Sequence, residues 1–349
     1  MIIVRTPLRV SFFGGGTDHP NWFEASGKGA VLSTAINKYV YIQMRALPAV
    51  FDFRYRVVWR QVEQVATIDE IEHPVVRAVL NEYCKDDPCG YEIVYNADLP
   101  ARSGLGSSSA FTVAILHAIS HQKGFNWSQE ELARRAIHVE QDLLKEPVGC
   151  QDQIAVALGG LNRIDFKTRQ HFVVDPSPVV PSRRAEMESC LMMFFTGFTR
   201  EAGNIEQQKK KNFADRTAEL TRMYEMVGDG ADILADQNRS LDELGALLDE
   251  GWMLKRGLAS AVSSGPIDQA YQRALEAGAL GGKLLGAGGG GFLLFYVRPD
   301  AQPHVLAAMR AFTYVPIRFD HEGSSVVLYD PEMTSNYETH REVMETSVP

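Results

Sequence analysis

The stretch Pro100-Ala101-Arg102-Ser103-Gly104-Leu105-Gly106-Ser107-Ser108-Ser109-Ala110 constrains this chain more than any other. A strand-like run, Tyr91-Glu92-Ile93-Val94-Tyr95, precedes it, and the apolar run Phe111-Thr112-Val113-Ala114-Ile115-Leu116 follows. The layout is strand, glycine-rich loop, helix start. The first N–H groups of a helix lack partners within the helix, and its dipole puts partial positive charge there, so anions are favoured. Gly104 and Gly106 let backbone approach an oxyanion closely, and the serines add hydroxyl donors or a metal ligand. The Gly-Lys-Ser/Thr ending of a Walker loop is missing, so this is a different phosphate cradle. For a lone Gly-x-Gly, a turn with a serine cap is the plainer alternative.

With 349 residues the chain exceeds one comfortable core, and two domains are expected. A formal charge of −9 argues against nucleic acid and anionic membrane as partners. It leaves room for a local cationic pocket. Cys84, Cys89, Cys150 and Cys190 show neither zinc-finger nor C-x-x-C spacing and read as reduced packing thiols. The start, Met1-Ile2-Ile3-Val4-Arg5-Thr6-Pro7, reads as a short strand rather than a signal peptide. No apolar run approaches a membrane span. The expected location is cytoplasmic, and the sequence leaves open whether the chain forms a homodimer.

Strand signals fall at 2–4, 8–13, 31–36, 39–44, 53–58 and 91–95, and helical patterns at 75–84, 110–121 and 130–144. Asp175-Pro176-Ser177-Pro178 with Pro181 marks a hinge, giving domains over 1–180 and 181–349. The second half reads as a strand at 190–195 and helices at 204–227, 241–260 and 267–277. A glycine-rich stretch at 281–291 then feeds a strand at 292–297, followed by a helix at 305–312 and a strand at 325–329. Lys209-Lys210-Lys211 reads as a solvated helix face.

Three carboxylates stand out. In the expected helix 130–144, the neighbours of Glu140 at three and four residues are Ala136, Ile137, Leu143 and Leu144, so Glu140 lies on the face to be buried. A buried carboxylate must be paired, hydrogen-bonded or metal-bound. An internal salt bridge, for instance to Arg134, and a metal both satisfy that demand. Asp152, in Gly149-Cys150-Gln151-Asp152-Gln153, reads either as a helix cap or as a carboxylate that orients a hydroxyl and accepts its proton. Asp18 ends Gly14-Gly15-Gly16-Thr17-Asp18, either a flexible turn or one whose carboxylate accepts bonds from two sugar hydroxyls.

Taken in order, PLRVSFFGGGTD from Pro7, GLGSSS from Gly104, Glu140 twelve residues before Asp152, and GKLLGAGGGGF from Gly282 resemble the motifs of the GHMP kinases. With Arg5-Thr6 ahead of the first, these span residues 5 to 292, nearly the whole chain. The resemblance implies an α+β fold of two domains, with ATP and a sugar in the cleft between them. It also implies ATP and Mg²⁺ as cofactors, and roles for matching positions. Ser108 and Glu140 would be the metal ligands, and Ser103, Gly104, Leu105, Gly106, Ser107, Ser108 and Ser109 the triphosphate cradle. Asp152 would be the catalytic carboxylate, with Arg9 beside it. Asp18, with Gly15, Gly16 and Thr17, would hold the sugar, and Gly288 and Gly289 would lie in the glycine loop beside the cradle. Galactokinases carry Gly-Glu-His-Thr-Asp-Tyr where this chain has Gly14-Gly15-Gly16-Thr17-Asp18-His19. The latter form looks more like the D-glycero-D-manno-heptose 7-phosphate kinases. A sugar phosphate needs cationic donors of its own, for which Arg200 and Lys255 are candidates. Either could equally serve as a surface charge or in an ion pair.

Overall fold

The computed structural model describes residues 1–48, 50–169, 171–177, 179–197, 216–258 and 262–330. Its first element is the strand β1 (Ile2–Phe13), one unbroken strand where the sequence suggested two. After the short helix α1 (Pro20–Ser26) comes β2 (Gly29–Leu47), which likewise merges two expected strands. The first eight residues of β2 are all buried and its second half alternates, so layers cover both faces at its start but not throughout.

The hairpin β3 (Tyr55–Val58) and β4 (Val62–Val65) follows, then helix α2 (Pro74–Tyr83) and strand β5 (Gly90–Ala97). β3 and β5 pair in parallel with α2 between them, whereas the other described pairings in this sheet are antiparallel. The sheet runs β13-β1-β2-β5-β3-β4, where β13 is Ser325–Tyr329. Along its Gly29–Thr34 stretch β2 also pairs with β6 (Leu161–Thr168), which forms a hairpin with β7 (His171–Pro176). The chain thus leaves this sheet at Pro176 and returns to it near its end, through β12 (Phe319–Asp320) on β2 and β13 on β1.

Helix α3 (Ser107–Gln122) lies on β1 and β2, with α2, α4 (Gln129–Ile137) and α5 (Gln151–Leu158) around it. Thirteen of its sixteen residues are buried, as its apolar character on every side requires. The expected helix at 130–144 does not continue regularly. After Ile137 it becomes a π-helical turn, His138–Leu143, and this rotation leaves Leu143 exposed while Glu140 is 1% exposed. Leu143 therefore corrects the helical wheel, although Glu140 is buried as the wheel predicted.

A second, four-stranded antiparallel sheet has the order β11-β8-β10-β9. Its strands are β8 (Leu191–Phe195), β9 (Ala279–Leu284), β10 (Phe292–Val297) and β11 (Thr313–Val315). The first part of the glycine-rich stretch is therefore strand β9, and its loop begins only after Leu284. Helices α6 (Pro181–Ser189), α7 (Thr217–Ala235), α8 (Asp242–Leu258), α9 (Gly265–Glu276) and α10 (Gln302–Ala308) complete this half. α7 also packs on β1 and β2, so the two sheets are tied together. Among the described residues, no helix is long and apolar enough to cross a membrane.

Candidate active site

Arg9 stands where the first motif meets the glycine-rich loop. Its backbone N–H donates to Leu105 O at 3.0 Å, on the edge of β1 beyond the last residue paired with β13. Its side chain, almost fully buried, donates from Nε to Asp152 Oδ1 at 2.7 Å, from Nη2 to Oδ2 at 2.6 Å, and from Nη1 to Gly104 O at 2.7 Å. Such a fork fixes both distance and plane. Asp152 is in the first turn of α5, but its carboxylate faces Arg9 instead of capping the helix, and the side chain keeps 27% exposure. A carboxylate held in place and still partly open can accept a proton from a ligand.

The loop itself is anchored from below. Leu105 and Ser103 are fully buried, and Ser103 Oγ donates to Pro100 O at 2.7 Å. Gly106 is the N-cap of α3 at φ +73°, and no side chain caps the helix start. A long helix with an uncapped start and glycine in front of it suits an oxyanion. Ser107 Oγ accepts from the Arg102 N–H at 3.3 Å, and Ser108 is exposed at this start.

Under the loop, Glu140 accepts from Ser109 Oγ at 3.0 Å and from Gln153 Nε2, both at Oε2. Thr112 also bonds the carboxylate. Oε1 is buried with no partner. Burial pushes the Glu140 carboxyl up to about 8, against the hydrogen bonds from Thr112, Gln153 and Ser109, while Glu146 adds like-charge repulsion. A buried carboxylate with one free oxygen beside a serine-rich loop fits a hard cation that takes oxygen ligands. It is not an internal salt bridge: Arg134 pairs with Glu130 instead. The hydroxyl that meets Glu140 belongs to Ser109, the next residue after Ser108. Sequence reading placed Ser109 only in the phosphate cradle and passed over Thr112 and Gln153. The i, i+3 spacing of Ser109 and Thr112, which puts two hydroxyls on one face of a helix, was the available signal.

The turn after β1 holds Asp18 in place. Its Oδ1 accepts from the Gly16 N–H at 2.9 Å, and its backbone O accepts from the Cys150 N–H at 3.1 Å. A Cβ on Gly149 would lie 1.9 Å from Asp18 Oδ2, so any side chain there would displace this carboxylate. Asp18 and Asp152 are thus tied to the same short segment. Thr17 is fully buried, with its hydroxyl within reach of the Gly14 and Ala30 carbonyls at 2.8 and 2.7 Å. It supports the turn from inside. Gly15 has open space around it, and Gly16 faces Leu220 of α7.

The late glycine loop packs on the first one, backbone to backbone. A Cβ on Gly286 would lie 2.3 Å from Gly104 Cα, and one on Gly291 would lie 2.1 Å from Ser103 O. Gly289 N–H donates to Val262 O at 2.9 Å, and Gly288 also abuts Val262. Lys255 is buried, and its Nζ donates to Leu284 O at 2.8 Å and Gly286 O at 2.5 Å, so its charge holds this loop. Lys283 Nζ, also buried, donates to Phe12 O at 2.6 Å and joins the loop's strand to β1. Arg200 lies outside the described residues, as does Lys209-Lys210-Lys211. Among the described residues, no three His, Cys, Asp or Glu side chains form a metal cluster. All four cysteines are free thiols, as the sequence suggested.

Comparison with known proteins bears on the family and the fold. The family described as GHMP kinases N terminal domain matches residues 71–160, and that described as GHMP kinases C terminal matches residues 233–315. A D-glycero-alpha-D-manno-heptose 7-phosphate kinase of Campylobacter jejuni is 28% identical over 317 residues, covering 88% of this chain and 93% of that protein. An L-fucokinase/L-fucose-1-P guanylyltransferase of Bacteroides fragilis is 30% identical over 86% of this chain, which spans only 35% of that longer protein. A solved D-glycero-D-manno-heptose 1-phosphate kinase from Bacteroides thetaiotaomicron superposes with a TM-score of 0.76, at 24% identity, over 95% of this chain and 100% of its own. The galactokinase of Lactococcus lactis, solved with galactose, gives a TM-score of 0.70 at 15% identity, over 93% and 94% of the two chains. At these identities the two solved structures speak to the fold.

Proposed function

This chain belongs to the GHMP kinase family, and from that premise we propose that it transfers the γ-phosphoryl group of ATP to the anomeric hydroxyl of a sugar phosphate. The substrate we favour is D-glycero-D-manno-heptose 7-phosphate, giving the 1,7-bisphosphate used to build nucleotide-activated heptose for surface polysaccharide. The observation that carries the kinase reading is the Arg9–Asp152 fork, set on the glycine-rich loop through Gly104. The Campylobacter relative, alike over nearly its whole length, supports the choice of sugar.

In this reading Asp152 accepts the proton of the attacking hydroxyl. Arg9 keeps both carboxylate oxygens in one plane and places positive charge beside the transferring group. The uncapped N–H groups at the start of α3 receive phosphate oxygens, and Gly104 and Gly106 let them come close. Asp18 receives sugar hydroxyls. Ser108 and Glu140 would hold Mg²⁺, with Ser109 and Gln153 fixing the carboxylate; when bound, the ion neutralises charge on the phosphates. Transfer is direct, without a phosphoenzyme, and much of the rate comes from positioning. The protein would act in the cytoplasm.

A coupled ADP-release assay over a panel of sugars and sugar phosphates tests this. Turnover on heptose 7-phosphate well above that on L-fucose, D-galactose and mevalonate is the expected result. Phosphorus NMR should show the new phosphate coupled to the anomeric proton. Preference for L-fucose would shift the substrate to the class of the Bacteroides fragilis relative. ATP turnover with no sugar on the panel would end the kinase reading.

A further inference from the structure

In the β1–β2 pairing, Arg9 lies opposite Ala35 and Ser11 opposite Ser33, with no shift of register between these pairs. Side chains two residues apart on a strand point to the same face, so the two serines share the face that carries the Arg9 guanidinium. The row continues to Asn162, the partner of Ser33 on β6. Ser11 is 9% exposed and Ser33 1%, yet neither hydroxyl has a hydrogen-bond partner. Gln151, the residue before Asp152, is also buried and has an unpartnered Oε1. Leaving a buried polar atom unpaired is costly, and alanine would remove a serine hydroxyl without leaving another group unpaired.

The position of these atoms gives them a common use. Along β1, Arg9 and its partner Asp152 stand at one end of this face. Past Ser11 the chain turns through Gly14 to Asp18. Along the chain, Ser11, with Ser33 paired opposite it, therefore lies between Arg9, which holds the carboxylate that would take a proton, and the carboxylate that would hold a sugar. Two residues of strand span about 6.6 Å, roughly the size of one sugar ring. A polyhydroxy compound supplies a donor and an acceptor at every carbon, the complement such a floor lacks.

We propose that Ser11, together with Ser33 across the strand pair, forms a hydroxyl-reading floor for the sugar. Ser11 makes the direct contact, and Ser33, its cross-strand neighbour, offers a second hydroxyl beside it. This rests on the sugar-kinase reading above and adds residues that determine which sugar hydroxyls are accepted.

The test measures heptose 7-phosphate, L-fucose and D-mannose binding by calorimetry without ATP, together with ATP affinity and Tm, for the wild-type chain, Ser11→Ala and Ser33→Ala. Ser11→Ala should weaken binding of the preferred sugar about three- to tenfold, the worth of one hydrogen bond, and leave ATP affinity unchanged. Its Tm should stay level or rise, because a dry, unpaired hydroxyl has been removed. Ser33→Ala should do the same more weakly. If the wild type binds a sugar and both variants match it within about twofold, the floor is wrong and the sugar reading stands. A fall in Tm with sugar binding intact also overturns it, since the hydroxyls would then be structural. If the wild type binds none of the sugars, both readings fall together.

Discussion

Arg9 holds Asp152 by both carboxylate oxygens, at 2.7 and 2.6 Å, across 143 residues of sequence, while its third donor reaches Gly104 O. The candidate base, the first strand and the glycine-rich loop therefore move as one unit. Their shared geometry rests on this one residue, through its little-exposed guanidinium and its backbone N–H to Leu105 O.

Asp152→Asn keeps the size of this side chain but neutralises it. We expect kcat to fall on the order of a hundredfold to ten-thousandfold, the range for losing a general base, with a much smaller change in KM. The buried Arg9 charge loses its counter-ion, so stability should drop by about 1–3 kcal/mol in urea titration. A raised KM with unchanged kcat would make Asp152 a sugar contact only.

Glu140 gives a pH signature. Its carboxyl is lifted from 4.5 to about 8 in the folded chain. Between those values the folded protein keeps a proton that the unfolded chain releases, so metal-free stability should decline as pH rises through that window. Glu140→Gln should remove the decline and exceed the wild type in metal-free Tm near about pH 8, with the gap closing near about pH 5. The same variant should lose most turnover and the stabilisation by Mg²⁺ with ATP. Calorimetry across pH, with and without Mg²⁺ and ATP, checks both; equal slopes for the two proteins would contradict the assignment.

The contact between the two glycine loops leaves no space. Gly286→Ala would push a methyl to 2.3 Å from Gly104 Cα at φ +67°. We expect stability to fall by about 1–3 kcal/mol and kcat by on the order of a hundredfold, because the phosphate cradle shifts. Lys255→Met should also loosen this loop. Since Lys255 Nζ serves carbonyls, the loss should be the same for phosphorylated and unphosphorylated sugars. A loss confined to sugar phosphates would return Lys255 to substrate binding.

A buried histidine, His117, and a half-buried one, His73, make the chain sensitive to acid. His117, bonded through Nδ1 to Ser324 Oγ at 2.9 Å, is held down to about 4 by burial and the nearby His121, and His73 to about 4 chiefly by burial. Both stay neutral in the folded state below pH 6.5, where the unfolded chain takes up protons. Stability is therefore complete above about pH 6.5 and falls toward pH 4, by on the order of 1 kcal/mol per pH unit for each histidine. His117→Asn, which keeps a polar partner for Ser324, should make the fall shallower in urea titrations at about pH 7 and 5. An unchanged slope would show that His117 does not titrate in this window.

The sequence by itself determined what local chemistry can determine. GLGSSSA between a strand and an apolar run specified a loop at a helix start, because helix ends and glycine turns are local matters. The apolar neighbours of Glu140 specified its burial, and the strands 292–297 and 325–329 were legible from their β-branched and aromatic runs. Tertiary structure decided which of two local readings each polar residue follows. Asp152 could have capped its helix, but Arg9 arrives from the first strand and turns the carboxylate away. Lys255 could have been a surface charge, but the fold buries it against the loop carbonyls of Leu284 and Gly286. The π-helical turn at His138–Leu143 and the return of β13 to β1 left no local trace. A hydrogen bond made across hundreds of residues depends on partners that no short window contains. The choice between two satisfactory local states is therefore made by the fold.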